Sequence, residues 1–158
     1  MKKILLIIII LAIVVLAVLW QPKNINTDVT PNVPEMDPVQ KAEIESKKDL
    51  IRLETPIPNG TITSPLLIKG KARGNWFFEA SFPIFLTNWD GLIIAEGYAT
   101  AEGEWMTTEF VPFTATISFI NPPHPTDRNN GSLILKKDNP SGLPEHDDAL
   151  EIPIFFGQ

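Results

Sequence analysis

The chain has 158 residues, a formal net charge of −6 and no cysteine. An acidic balance argues against a surface built for nucleic acid or anionic lipid. The missing thiols exclude a disulfide framework, thiol catalysis and cysteine-ligated zinc, so the fold must rest on an aliphatic, Phe- and Ile-rich core.

The first element is an apolar run from Ile4 to Trp20, entered through Lys2 and Lys3 and free of Asp, Glu, Lys and Arg. As a helix it spans roughly 25 Å, enough to cross a bilayer at the short end of the range. Trp20 closes it where an indole favours the lipid–water boundary, and the two lysines keep the N-terminus cytoplasmic. A cleaved signal peptide shares this layout, but Ala17-Val18-Leu19-Trp20-Gln21-Pro22 lacks the small residues a cleavage site needs. Residues 1–20 therefore read as an uncleaved, single-pass signal anchor in the cytoplasmic membrane, with the C-terminal domain extracytoplasmic.

Residues 21–49 read as an extended linker, with prolines at positions 22, 31, 34 and 38. Near its end Asp37 can cap a short helix whose first residue is Pro38, with Gln40 three residues past the cap. Glu43 and Lys47 stand at i, i+4 spacing in the favourable order. A helix from Pro38 to Lys48 is expected, with plain coil as the competing reading.

Over residues 50–158 the period changes to two. Leu50–Glu54 is a half-buried strand with Ile51 and Leu53 on its inner face. Thr55-Pro56-Ile57-Pro58-Asn59-Gly60 is turn chemistry. Leu66–Ala72 follows, with Gly70 and Ala72 small enough for another strand to approach. Phe78–Thr87 puts Phe78, Ala80, Phe82, Ile84 and Leu86 in phase, Asn88-Trp89-Asp90-Gly91 turns it, and Leu92–Ala101 returns. Phe110–Ile120 buries Phe113, Ala115, Ile117 and Phe119. Ser132–Lys136 and Leu150–Phe156 complete the set, the latter with Leu150, Ile152, Ile154 and Phe156 in phase. About seven short strands without intervening helices predict an all-β, immunoglobulin-like antiparallel β-sandwich behind one N-terminal transmembrane helix.

The order of these pieces resembles the immunoglobulin-like domain of bacterial spore germination proteins. The matching elements are Thr55-Pro56-x-Pro58-Asn59-Gly60, Ser64-Pro65-Leu66-x-Ile68-x-Gly70-x-Ala72, Phe78-Glu79-Ala80, Asp90-Gly91 and Glu96-Gly97-Tyr98-Ala99-Thr100-Ala101. Phe113 to Phe119, Gly131-Ser132-Leu133 and Ile152-Pro153-Ile154 follow in order. The resemblance covers about Leu50 to Phe156. It implies an exported sandwich module on an envelope protein and carries over no catalytic residues.

Three groups of side chains are candidates for function. Trp76, Trp89 and Trp105 each sit beside a Gly or Asn turn signal. They either fold back as lids over the sandwich ends or form a stacking surface for sugar rings or a partner protein. Asp138, Asn139, Glu145, Asp147 and Asp148 lie in an oxygen-rich loop of the kind that wraps calcium, although the spacing matches no EF-hand; the competing reading is a solvated connection closed by its own turn bonds. Zinc has only His124 and His146 to call on. The spacing of Glu145 and Asp148 allows a hydrolytic pair, but two loop acids are usually just hydrated. The triplets Asn59-Gly60-Thr61 and Asn130-Gly131-Ser132 read as turns.

No cofactor is implied, and no GxSxG motif, cysteine nucleophile or phosphate-binding glycine loop appears. The expectation is a non-enzymatic binding or structural module at a bacterial cell envelope. It would be held by its N-terminal helix, and its partner would be an envelope protein or cell-wall glycan rather than nucleic acid. The alternative is a calcium-dependent adhesion or sensing domain using the 138–148 loop.

Overall fold

The computed structural model describes residues 35–123 and 128–157. The expected membrane segment, the spacer before Glu35 and His124 lie outside them. Among the described residues no helix is long and apolar enough to cross a membrane.

The described chain opens with α1 (Pro38–Ser46). Its cap is the expected one: the Asp37 carboxylate accepts the Val39 and Gln40 N–H groups at 2.8 and 3.4 Å, satisfying donors that no helical carbonyl reaches. The expected Glu43–Lys47 pair is replaced by a longer-range one. Lys47 turns its ammonium to Asp148, 101 residues on, while Ile44 packs against the edge of the core. The helix has no buried residue, so these two contacts hold it beside the final strand. Under Ile44 remains an apolar groove of about 150 Å³, lined also by Ile51, Leu53, Pro58, Leu150 and Ile152.

Eight strands follow: β1 (Ile51–Thr55), β2 (Gly60–Ile62), β3 (Leu66–Arg73), β4 (Ser81–Asn88), β5 (Ile93–Ala101), β6 (Phe110–Ile117), β7 (Asn130–Lys136) and β8 (Ala149–Phe156). They form one curled sheet in the order β1-β3-β6-β5-β4-β7-β8-β2. Setting β2 aside, β1-β3-β6-β5 and β4-β7-β8 reproduce the two layers of an immunoglobulin domain. β5 serves both: it pairs with β4 along its length and with β6 only at Thr100–Thr114 and Ala101–Phe113. Its core-facing positions opposite Leu86, Ile84 and Phe82 are Ala95, Gly97 and Ala99, small enough for the layers to close. A Cβ on Gly97 would come within 2.9 Å of Ile117 Cγ2.

The core is where alternation placed it. Phe113, Ala115, Ile117 and Phe119 are buried, as are Leu150, Ile152, Ile154 and Phe156. Phe82 of β4 meets Phe113 of β6 edge-on at 5.0 Å between ring centres, and Phe119 meets Phe156 at 5.7 Å. At Gly70 the approach is as close as its missing side chain allows, since a Cβ there would lie 2.3 Å from the Arg52 carbonyl.

Four departures from expectation have physical causes. β2, read as the tail of a turn, is an eighth strand. Its three residues are too few to show a period, and it pairs in parallel with β8, so the sheet is not wholly antiparallel. β4 begins at Ser81 because Glu79 and Ala80 adopt φ of 48° and 62°, folding a tight turn in which Phe78 bonds back to Ser81. Phe78 therefore leaves the core phase and is 41% exposed. Asn130-Gly131-Ser132 is not a turn but the start of β7, where Gly131 is required because a Cβ would meet the Thr87 carbonyl at 2.2 Å. β6 stops at Ile117, after which the chain keeps Phe119 buried without further pairing.

Phe113→Ala is expected to lower the unfolding free energy by about 3–5 kcal/mol. Lys71→Ala, one strand away on the outward face, should stay within about 0.5 kcal/mol. Urea-denaturation midpoints at constant slope measure both.

Candidate functional site

The three tryptophans do not come together. Trp76 lies in a single 3₁₀ turn between β3 and β4 and is 1% exposed. Its turn is pinned beneath the β5–β6 connection: Gly74 N–H bonds the Glu109 carbonyl at 3.3 Å, and a Cβ on Gly74 would lie 1.9 Å from the Thr107 carbonyl. The expectation of Trp76 in a recognition patch is corrected, because the indole fills the core, with its Nε1 buried and unpartnered. Trp105, in the connection above, is half-buried and packs on the core margin. Both therefore belong to the end of the sandwich where β3 finishes.

Trp89 stands at the opposite end, in the β4–β5 turn; the nine residues of β5 separate it from Trp105 by about 30 Å. The turn is built as its sequence predicts. Asn88 Oδ1 accepts the Asp90 and Leu92 N–H groups at 3.1 and 2.9 Å, and Gly91 supplies the positive φ of 77°. Trp89 is half-exposed, and the Arg128 guanidinium lies 4.8 Å from its ring centre. Beside it Leu92 and Ile93 are 65% and 52% exposed, and Ile120, leaving β6 at the same end, is 89% exposed. Ile94 and Ile120 line one open groove with Ser118 and Phe119. Exposed apolar residues and a Trp–Arg stack at one end of a domain are residue types enriched at interface centres. Over Ile93–Ala99 the outer edge of β5 is unpaired, leaving backbone groups that another strand could meet. Residue type flagged Trp89 in the sequence, but the neighbours that give it a surface come from three segments and leave no local signal.

The acidic loop is organised around Asn139. Its Oδ1 accepts from Ser141 N–H and Oγ at 3.2 and 2.5 Å, and its Nδ2 donates to the Leu143 carbonyl and Asp147 Oδ1, both at 2.8 Å. Asp147 Oδ2 also lies 3.5 Å from Lys136 Nζ. The Asn139 hydrogen bond, aided by Lys136, holds the Asp147 carboxyl below the ordinary aspartate value. Asp148 is engaged by Lys47 and by its own Ala149 N–H. Asp138 N–H bonds the Trp76 carbonyl at 3.1 Å, and Glu145 and His146 lie in a short exposed 3₁₀ turn. Among the described residues no three His, Asp or Glu side chains are grouped as a metal ion needs. The side-chain oxygens of Asn139, Asp147 and Asp148 thus meet donors of the loop itself, of Lys136 and of Lys47.

A family model described as the immunoglobulin-like domain of bacterial spore germination matches residues 50–142. The chain belongs to that family. The match opens at the first strand and ends within the loop after β7, so the Asn88 turn and the β5 edge lie inside it. No curated protein and no solved structure matches the chain.

Trp76→Ala should lower stability by about 3–5 kcal/mol, whereas Trp89→Ala should cost under about 1 kcal/mol; thermal and urea melts of the two separate a core indole from a surface one. Asn139→Ala should let Asp147 titrate at higher pH, followed by carboxyl NMR. With a depressed folded pKa, the contribution of Asp147 is present above the unfolded aspartate value of 3.8. It is lost as pH falls through the lower folded value.

Proposed function

We propose that the chain is a non-catalytic, membrane-anchored module whose immunoglobulin-like domain stands outside a bacterial cytoplasmic membrane and contacts an envelope protein or cell-wall glycan. The observation that carries this reading is the uncharged run Ile4–Trp20 behind two lysines, joined to a cysteine-free domain of a family tied to bacterial spore germination. A secreted-side domain without disulfides needs a self-sufficient core, and the twenty-two buried hydrophobic residues among those described supply one. The contact surface is the Trp89 end: Trp89 stacked by Arg128, with Leu92, Ile93 and Ile120 around it. Trp105, at the far end, belongs to a separate surface. The internal bonding of the Asn139 loop favours a structural turn over the calcium alternative.

Three measurements test the reading. Alkaline carbonate should leave the full chain in membranes and release a variant lacking residues 1–20, and a C-terminal reporter active only outside the cytoplasm should be active; a cytosolic C-terminus overturns the anchor. Crosslinking in native membranes should recover a partner with wild type and lose most of it with Trp89→Ala combined with Leu92→Ser. Equal recovery from both would remove the Trp89 surface while leaving the anchor standing.

A further inference from the structure

The outward face of β1-β3-β6 gathers positive charge that a net charge of −6 conceals. Along β3, Lys69, Lys71 and Arg73 point outward, because Ile68, Gly70 and Ala72, which alternate with them, are buried; alternate positions stand about 6.7 Å apart. Arg52 of β1 is paired with Lys71, and Phe110 of β6 with Arg73. The Phe110 ring collects three of these cations: Arg73 Cζ, Arg52 Cζ and Lys71 Nζ lie 4.2, 4.4 and 6.0 Å from its centre.

Both guanidiniums are fixed in place. Arg52 Nε donates to the Lys48 carbonyl at 2.6 Å, Arg73 Nε to the Asp49 carbonyl at 3.0 Å, and Arg73 Nη1 to the Thr108 carbonyl at 3.1 Å. Their stacking on the ring adds attraction without consuming N–H donors. Neutralisation is thin. Asp49 and Glu109 reach Arg52 and Arg73 only at 3.7 Å, with side chains 94% and 79% exposed, and Glu54 is the remaining acid facing outward from β1. Lys69 and Lys71 make no ion pair among the described residues. Three like charges around one ring repel each other, and an anion placed among them removes that cost.

We propose that Arg52, Lys71 and Arg73 around Phe110 form a binding site for phosphodiester groups, with Lys69 extending it along β3 to a second phosphate of the same chain or surface. A lone carboxylate would occupy one guanidinium fork and leave the rest of the row unused, whereas repeated phosphates use the forks and the point-charge lysines together. Such groups come from anionic lipid headgroups or from a soluble phosphodiester polymer, and the recognition chemistry is common to both.

The test uses the full chain. In non-ionic detergent, titration calorimetry with a glycerol-phosphate oligomer should show saturable binding that weakens as salt rises. In nanodiscs, a fluorophore on Thr116→Cys, unique because the chain has no other cysteine, should be quenched by headgroup quenchers in phosphatidylglycerol and not in phosphatidylcholine. Lys71→Glu should weaken whichever signal is present about tenfold, with an unchanged melting temperature, and Lys71→Arg should preserve it. Quenching assigns the lipid as the source; oligomer binding without quenching assigns a soluble polymer. Absence of both signals, or a signal equal in wild type, Lys71→Glu and Arg73→Gln, overturns the proposal.

Discussion

Everything in this domain depends on Phe82 meeting Phe113 across the gap between the two half-sheets. In antibody domains a disulfide ties the layers at the centre. Here there is no cysteine, and the tie is an edge-to-face ring pair with centres 5.0 Å apart, worth about 0.5–1.5 kcal/mol beyond the area it buries. Such a contact is short-ranged, so the backbones must come close enough for it to form. β5 permits this by presenting Ala95, Gly97 and Ala99 inward, where larger side chains would hold the layers apart. The small-residue face of one strand and the aromatic pair of two others are one device seen from two sides.

That device sets where function can reside. A strand that reaches both layers cannot be fully paired with each, and β5 is bonded to β6 over only two residue pairs. Its remaining edge, running back to Leu92 and Ile93, is left open beside Trp89. The exposed apolar end is thus a consequence of how the core closes, and any partner that covers it also shields the least protected edge of the sheet. Burial of Trp76 belongs to the same logic. The end of the sandwich distal to Trp89 needs a plug, and an indole beneath the Trp105 connection provides it at the cost of one unpartnered N–H.

How much of this was legible in the sequence follows from the range of the interaction responsible. The inner faces of β6 and β8 were readable because period-two alternation reports burial residue by residue, and Asp37 and Asn88 were readable because their hydrogen bonds close within four positions. β2 was not, since its three residues acquire meaning only from Ile154 to Phe156 lying alongside. Phe78 and Ala80 kept the apolar rhythm while two left-handed residues broke the backbone under it. Trp76 and Trp89 carry the same local signal, because proximity to Gly and Asn does not distinguish an indole that points out from one that points in. Lys47 had a plausible partner four residues away and took Asp148 instead, a choice decided by where β8 begins.

The cation cluster carries this point furthest. Composition describes the chain as acidic, and an acidic chain is expected to avoid phosphate. Charge is additive along a sequence, but potential is not additive over a folded surface, because it depends on which residues share a face and how far solvent separates them. Alternation along β3 sends Lys69, Lys71 and Arg73 to one side, register brings Arg52 alongside, and a single phenylalanine fixes the geometry. Asp147 of the 138–148 loop is meanwhile engaged with Asn139 and Lys136, and Asp148 with Lys47. A net charge of −6 is therefore compatible with a face on which cations gather, and the same pleat that hides the aliphatic core determines which charges meet.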